Sequence, residues 1–171
     1  ALSEGVIFKN WRYGEFDNSL PYGFGLDFGF NDPDAMVRVA VDKKRKVIYA
    51  EEKIYKSGNS ADALKQMLKA YCEPREAIVA DCADARMIST LRRDFHIMPV
   101  NKQKWTVAEA LKMMQDYEII VTEGSHNLAK ELNNYVWSDK KAGVPIDDFN
   151  HLIDAMRYWF MHSHKPEFVL V

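Results

Sequence analysis

Three aspartates stand at positions where the surrounding sequence is apolar or small. Asp27 lies between Gly25 and Gly29, Asp81 directly follows an apolar run, and Asp154 lies within an apolar segment near the C-terminus. Carboxylate oxygens are the ligands that Mg²⁺ and Mn²⁺ prefer. Two such ions roughly 3.5–4 Å apart can activate a water and stabilise the leaving oxygen of a phosphodiester. If the fold brings the three carboxylates together, they suit that chemistry.

Asp27 lies in a predicted strand, Tyr22–Phe30. Alternation along this strand buries one face, made of Phe24, Leu26, Phe28 and Phe30. The opposite face carries Asp27 between two glycines, so it offers an open notch with room for an ion or a backbone to approach. The alternative is that Asp27 caps a bend in a strand weakened by glycine.

Asp81 follows the run 77–80, which is short and apolar enough to predict a buried parallel strand. Ligands of open α/β sheets bind beyond the carboxyl ends of such strands, where this side chain emerges. Three residues later, Asp84 is better explained as the N-cap of the next helix. The alternative for Asp81 itself is a turn or cap residue.

The last predicted helix covers residues 148–162 and places two polar groups on one face. His151 and Asp154 stand at positions i and i+3, with Tyr158 one turn beyond. Ala155 leaves space for a close approach, and Asp147 or Asp148 is predicted to cap the helix. This arrangement favours a metal site, whereas the alternative is a structural helix whose His and Asp are merely solvated.

Composition limits the other functions. The 171 residues suit one domain, and no apolar run approaches the roughly 20 residues that cross a bilayer. A net charge of −2 does not indicate a basic protein that coats DNA. The two cysteines form neither a metal-ligand spacing nor a disulfide framework, which favours a reducing, cytoplasmic setting. The chain has no GxxxxGK[ST] loop, so we expect no ATP hydrolysis.

The elements that must position these residues form a mixed α/β pattern. Residues 1–20 are interpreted as a lead-in, and three antiparallel strands follow at 22–30, 36–42 and 47–55. Alternating helices and strands are then predicted at 60–71 (helix), 77–80 (strand), 85–94 (helix), 97–100 (strand), 107–115 (helix), 117–122 (strand), 127–134 (helix) and 148–162 (helix). The predicted fold class is α/β, with three antiparallel strands followed by parallel strands in a sheet flanked by helices.

Three stretches resemble a known family: GLDFGFNDPDA, IVADCADAR and NHLIDAMRYW. Over residues 22–161 the chain is similar to the C-terminal nuclease domain of phage and prophage terminase large subunits. The resemblance implies an RNase H-like fold and a metal-dependent DNA endonuclease that cuts concatemeric viral DNA during genome packaging. It implies that Asp27, Asp81 and Asp154 are catalytic and bind two Mg²⁺ or Mn²⁺ ions. His151 would be a further ligand of one ion or would touch a ligand.

The resemblance also implies partners. They are double-stranded DNA, an upstream ATPase domain of the same protein that is absent from this chain, the portal and the small terminase subunit, but no membrane. Residues 1–171 would form a single nuclease domain that works in the host cytoplasm. The segment Trp137–Pro145 is similar to a β-hairpin near the family's site, and residues 101–104 fall where relatives carry a basic loop. Phosphate contacts are expected from Lys102, Lys104, Lys140 and Lys141.

Two other functions stay open from the sequence. One is another RNase H-like nuclease, of the Holliday-junction resolvase or transposase type. The other is a non-catalytic module that keeps the fold and docks on DNA or the portal. The retention of three carboxylates and His151 argues against the second, because an inert scaffold has no need to hold like charges together.

Overall fold

The computed structural model describes residues 5–29, 31–82 and 84–164. Within these residues, seven strands form one sheet in the order β1-β7-β4-β3-β2-β5-β6. The strands are β1 Trp11–Tyr13, β2 Tyr22–Asp27, β3 Asp34–Asp42, β4 Val47–Lys56, β5 Ala77–Asp81, β6 His96–Pro99 and β7 Glu118–Val121. The helices are α1 Ala61–Tyr71, α2 Ala85–Leu91, α3 Val107–Met114, α4 His126–Asn134 and α5 His151–Ser163.

The sheet is mixed, as the sequence predicted. The central strands β2, β3 and β4 pair antiparallel, while β5 and β6 extend one side in parallel and β7 and β1 extend the other. The sequence did not predict β1, which lies inside the segment interpreted as a lead-in. Ile7 and Phe8 of the same segment are also buried in the core. This segment is therefore part of the sheet and its packing.

Helices cover both faces of the sheet. On one face, Leu64 and Leu68 of α1 and Leu91 of α2 pack in a cluster with Phe24 and Leu26. This confirms the predicted burial of that side of β2, although Phe30 lies outside the described residues. On the other face, α3, α4 and α5 pack in a second cluster. Each face therefore has its own apolar layer, as expected for an α/β domain.

The register between β3 and β4 shifts within the sheet. Val37 pairs with Glu52 but Met36 pairs with Ile54, so Lys53 has no partner in the ladder. An extra residue changes which side chains face each side of a strand. Accordingly, Ile48 belongs to the cluster under α3–α5, whereas Ile54 belongs to the cluster under α1 and α2.

Helix α5 begins at His151, three residues later than predicted. Phe149 has a φ of 55° and Asn150 has a φ of −126°, so neither residue is helical. Helix α2 ends at Leu91 rather than at residue 94. In the part of the chain that the structure describes, every helix is too short or too polar to cross a membrane.

Candidate metal centre

Neighbouring strands place the first two carboxylates side by side. Strands β2 and β5 are parallel, and their register pairs Asp27 with Asp81 at the last position of each strand. The backbone N–H of Phe28 donates to the carbonyl oxygen of Asp81 at 3.2 Å, which continues the pairing past the strand ends. The separation of the two carboxyl groups is therefore set by the sheet and not by a loop.

Protein atoms take the space beside the glycines that surround Asp27. A Cβ atom at Gly25 would lie 1.6 Å from the carbonyl oxygen of Ala155, and one at Gly23 would lie 2.1 Å from the ring of Trp159. A Cβ atom at Gly29 would lie 2.3 Å from the carbonyl oxygen of Asp32. Of the two occupants that the sequence left open for the notch, α5 takes the Gly25 side. The close approach predicted at Ala155 is thereby confirmed.

Helix α5 runs over β2 and brings a tyrosine to both carboxylates. The Tyr158 hydroxyl donates to Asp27 Oδ1 at 3.1 Å and lies 3.5 Å from Asp81 Oδ2. The side chain is buried, with 4% exposure. Sequence reasoning placed Tyr158 on the same face as His151 and Asp154 but gave it no role. Its spacing of four residues from Asp154 was the available signal.

The other two predicted site residues lie on the first turn of α5. His151 Nδ1 is 4.0 Å from Asp27 Oδ2, and the His151 ring packs against the ring of Tyr55. Asp154 Oδ1 is 3.4 Å from Arg157 Nη2, in an ion pair within the helix. The structure thus gathers Asp27, Asp81 and His151 around one sheet edge and gives Asp154 a cationic neighbour.

Burial raises the pKa of two of these carboxyl groups. The pKa of Asp27 is raised to about 6, although the Tyr158 hydrogen bond and His151 act in the opposite direction. The pKa of Asp154 is raised to about 7, mainly by burial and against the effect of Arg157. A buried carboxylate costs free energy when it is charged, and a bound cation removes that cost. Both sites therefore favour partners of positive charge.

The predicted basic residues separate into three environments. Lys102 Nζ lies 2.9 Å from Asp81 Oδ1, so this lysine is at the acidic site. Lys104 Nζ donates to the carbonyl oxygen of Met161 at 3.0 Å and lies over the Trp105 ring. Lys140 and Lys141 are exposed, and their backbone N–H groups bond to Ser138 Oγ. An antiparallel bridge between Trp137 and Pro145 closes this segment, as the predicted hairpin requires.

The cap of α5 comes from another helix. Glu131 of α4 accepts backbone hydrogen bonds from Leu152 at 2.9 Å and from Ile153 at 3.0 Å, both through Oε1. The prediction that Asp147 or Asp148 caps this helix is therefore wrong: Asp148 accepts from the backbone N–H of Phe149. Asp147 accepts from the side chain of Asn150. The predicted cap at Asp84 is confirmed, since its side chain accepts from the Arg86 N–H at 2.9 Å.

Glu131 is a residue that the sequence analysis missed. It is 2% exposed, and burial raises its pKa to about 8. Its spacing in α4 gives no signal, because its partners lie about 20 residues later in the chain. By fixing the start of α5, Glu131 sets where His151 and Asp154 stand.

A cleft of about 390 Å³ opens beside these residues. Asp81, Asp154 and Tyr158 line one side of it, together with Lys102 and Arg157. The start of α3 closes the cleft through Trp105, Thr106 and Val107. The acidic and basic side chains of the site therefore share one solvent-accessible space.

The types of side chain at this end of the sheet suit a hard divalent cation, because β2, β5 and α5 supply three carboxylates and an imidazole. In the arrangement that the described residues adopt, however, no three His, Cys, Asp or Glu side chains stand close enough together to hold a metal ion. Two cationic side chains, Lys102 and Arg157, contact two of the carboxylates instead.

Similarity to known proteins agrees with this architecture. The terminase RNAseH like domain model matches residues 27–162. The terminase large subunit of Bacillus phage SPP1 is 29% identical over 174 residues, covering 96% of this chain and 40% of that protein. The PBSX phage terminase large subunit of Bacillus subtilis strain 168 is 28% identical over 127 residues, covering 72% of this chain and 29% of that protein. The chain thus spans two-fifths or less of these relatives.

Solved structures share the fold. The g2p (large terminase) nuclease domain of bacteriophage SPP1 with bound Mn has a TM-score of 0.76 at 29% identity, covering 92% of this chain and 99% of that one. The P22 large terminase nuclease domain has a TM-score of 0.73 at 17% identity, covering 95% and 94% of the two chains. The resemblance in three sequence motifs and the predicted RNase H-like fold are both confirmed. The chain belongs to the family of terminase RNase H-like domains.

Proposed function

We propose that this chain is a two-metal-ion DNA endonuclease, the nuclease domain of a terminase large subunit that cuts concatemeric viral DNA during packaging. The observation that carries the proposal is the register pairing of Asp27 with Asp81 at the ends of parallel strands, beneath the first turns of α5. The SPP1 relative, whose solved nuclease domain contains Mn, supports the use of a divalent cation.

Each acidic residue has a proposed role. Asp27, Asp81 and Asp154 would hold Mg²⁺ or Mn²⁺, with His151 as a further ligand or as a neighbour that orients Asp27. Two such ions activate a water and stabilise the leaving oxygen of a phosphodiester. Tyr158 fixes the orientation of Asp27 through its hydroxyl. Glu131 holds the start of α5, so the helix presents its two donors at a defined position.

The substrate surface would be basic and would not read sequence. Lys102 lies in the cleft itself, while Lys140 and Lys141 lie on the exposed hairpin segment. Lys104 faces the end of α5, so its phosphate contact would need the side chain to leave the Met161 carbonyl. In the whole protein, the domain of residues 1–171 would follow an ATPase domain and work with the portal and the small terminase subunit in the host cytoplasm.

Plasmid cleavage tests the proposal. Supercoiled plasmid should be nicked and linearised with Mn²⁺ or Mg²⁺ and left intact with EDTA. Asp27→Ala and Asp81→Ala should abolish cleavage while circular dichroism shows a retained fold, because each removes an anionic ligand. Asp116→Ala is the matched control: this exposed carboxylate lies two residues before Glu118, which pairs with Val47 at the far end of the sheet. Equal cleavage by wild type, Asp27→Ala and Asp81→Ala would overturn the assignment of the site, and a wild type that cleaves with neither Mn²⁺ nor Mg²⁺ would leave a non-catalytic module.

A further inference from the structure

Two cationic side chains of the protein contact carboxylates of the acidic site. Lys102 Nζ contacts Asp81 Oδ1 at 2.9 Å, and Arg157 Nη2 lies 3.4 Å from Asp154 Oδ1. The strand pairing does not require the Lys102 contact, because β2 and β5 already fix the backbones of Asp27 and Asp81. The ion pairs balance the negative charge that the strand ends and α5 concentrate at one edge.

The two cations differ in their freedom to move. The Arg157 side chain is 9% exposed, lies on a helix, and also packs over the Tyr158 ring. The Lys102 side chain is 69% exposed and belongs to the segment between β6 and α3. An ammonium group on a flexible four-carbon stem with that exposure can change partners without disturbing the core. An exposed ion pair of this kind contributes little free energy, so a stronger partner displaces it.

The position of Lys102 offers it a second partner. Its side chain lines the same cleft as Asp81, Asp154 and Tyr158. A lysine that leaves Asp81 therefore stays within reach of an anion bound in the cleft. A phosphate of the substrate backbone is an anion of that kind, and an ammonium group binds it as a point charge.

We propose that Lys102 is an exchangeable counter-ion: it holds Asp81 in the metal-free protein, leaves when a divalent cation binds there, and then contacts a phosphate of the DNA. This inference rests on the proposed function and adds a positioning role for Lys102 that joins metal loading to substrate contact.

The exchange predicts effects of opposite sign in Lys102→Met. Without the competing ammonium group, Mn²⁺ should bind roughly two- to fivefold more tightly, which corresponds to the upper range of an exposed ion pair. Without the phosphate contact, cleavage at saturating Mn²⁺ should become slower by roughly tenfold. If Lys102 were purely structural, its replacement by Met would not strengthen metal binding. If Lys102 only contacted DNA, its replacement would leave metal binding unchanged.

Calorimetric titration with Mn²⁺ alone tests the first effect without relying on activity. Lys104→Met is the matched control for Mn²⁺ affinity: it removes the same charge from the same segment, but its Nζ bonds to a carbonyl oxygen instead of a carboxylate. We expect Lys102→Met to bind Mn²⁺ more tightly than Lys104→Met does. We also expect Lys102→Met to cleave plasmid more slowly than wild type at saturating Mn²⁺.

Two outcomes would overturn the exchange, and they differ in what they say about the nuclease. If wild type binds Mn²⁺ and cleaves DNA but Lys102→Met binds Mn²⁺ no more tightly than Lys104→Met, the exchange is wrong and the proposed function stands. If wild type neither binds Mn²⁺ nor cleaves, both proposals fall. Because Lys102 is exposed, loss of folding does not confound either measurement.

Discussion

At the scale of single residues, the site combines half-buried carboxylates with one hydroxyl that links two of them. Tyr158 contacts both Asp27 and Asp81, although it lies 131 residues from the first and 77 from the second. Burial raises the pKa of Asp27 and of Asp154, so the metal-free protein holds these groups at a cost that a cation would remove.

Asp27 makes one contribution to the pH dependence of stability, and a substitution isolates it. Its pKa is about 6 in the folded protein, whereas an unperturbed Asp has a pKa near 3.9. The stability contributed by the bound proton is present below about pH 4 and is lost as pH rises through 6. In EDTA, Asp27→Asn should gain roughly 2 to 3 kcal/mol over wild type between pH 4 and pH 8, because wild type alone must then bury a charge.

Urea unfolding at pH 4, 6 and 8 measures this difference. Asp116→Asn, at an exposed position, serves as the control and should show no such trend. A difference between Asp27→Asn and wild type that stays constant over this range would mean that Asp27 is not a buried titrating group.

The two donors of α5 should differ in severity when they are changed. Asp154→Asn keeps the shape but removes the charge, so we expect no cleavage at any practical Mn²⁺ concentration. His151 is neutral when it coordinates, so His151→Ala should lose about 10–100-fold in metal affinity and recover in part as Mn²⁺ rises.

Cleavage rate against Mn²⁺ concentration distinguishes the two variants. Melting curves are needed as a control, because Asp154→Asn also leaves the buried Arg157 without its carboxylate. A dead His151→Ala beside an active Asp154→Asn would contradict these roles.

At the scale of elements, α5 and β2 form one unit. The helix lies so close to the strand that a Cβ atom at Gly25 would overlap the backbone of Ala155, and one at Gly23 would overlap the ring of Trp159. The start of the helix is held by Glu131 of α4, so three elements together determine where His151 and Asp154 stand. A small change at this contact should therefore disturb both stability and the site.

Gly25→Ala tests the contact between helix and strand. Its Cβ atom would lie 1.6 Å from the Ala155 carbonyl oxygen, a backbone atom that cannot move alone. We expect a loss of roughly 3 kcal/mol or more in the free energy of unfolding, with weaker cleavage. Gly143→Ala is the control, since that site has open space and a φ of 72°, so its loss should be about 1 kcal/mol. Equal losses in denaturant titrations would mean that α5 does not lie on the strand as described.

At the scale of the whole molecule, the positions of the charged side chains are more informative than the net charge. The net charge is −2, yet lysines stand in the cleft and on the exposed hairpin segment, residues 137–145. Carboxylates at one sheet edge offset those lysines in the total. A net charge near zero is therefore compatible with the proposed contacts between these lysines and phosphate groups.

Duplex binding should be sensitive to salt and indifferent to sequence. In metal-free protein, where Lys102 is held at Asp81, phosphate contacts from Lys104, Lys140 and Lys141 should make affinity fall roughly fortyfold between about 50 and 200 mM salt. Fluorescence anisotropy with two duplexes of unrelated sequence, in EDTA, measures both properties. Affinity that stays flat with salt, or that differs strongly between the duplexes, would contradict a backbone-contacting surface.

The sequence by itself determined which side chains are proposed to bind metal and the type of element that carries each. Period-two alternation placed Asp27 opposite the buried Phe24 and Leu26, and the apolar run before Asp81 marked a parallel strand. These are local patterns, in which neighbours along the chain decide the conformation. The same reasoning gave the mixed sheet, because strand and helix signals alternate in order along the chain.

Only the tertiary structure decided what those side chains touch. The strand β1 is three residues long and exists through its pairing with β7, more than 100 residues away. Glu131 replaces the predicted cap of α5, and Lys102 takes Asp81 as its partner, through contacts that no spacing encodes. Such contacts depend on where distant elements pack, and a local pattern carries no information about that packing. The proposed metal ligands could therefore be named from the sequence, whereas the cations and the cap that contact their elements could not.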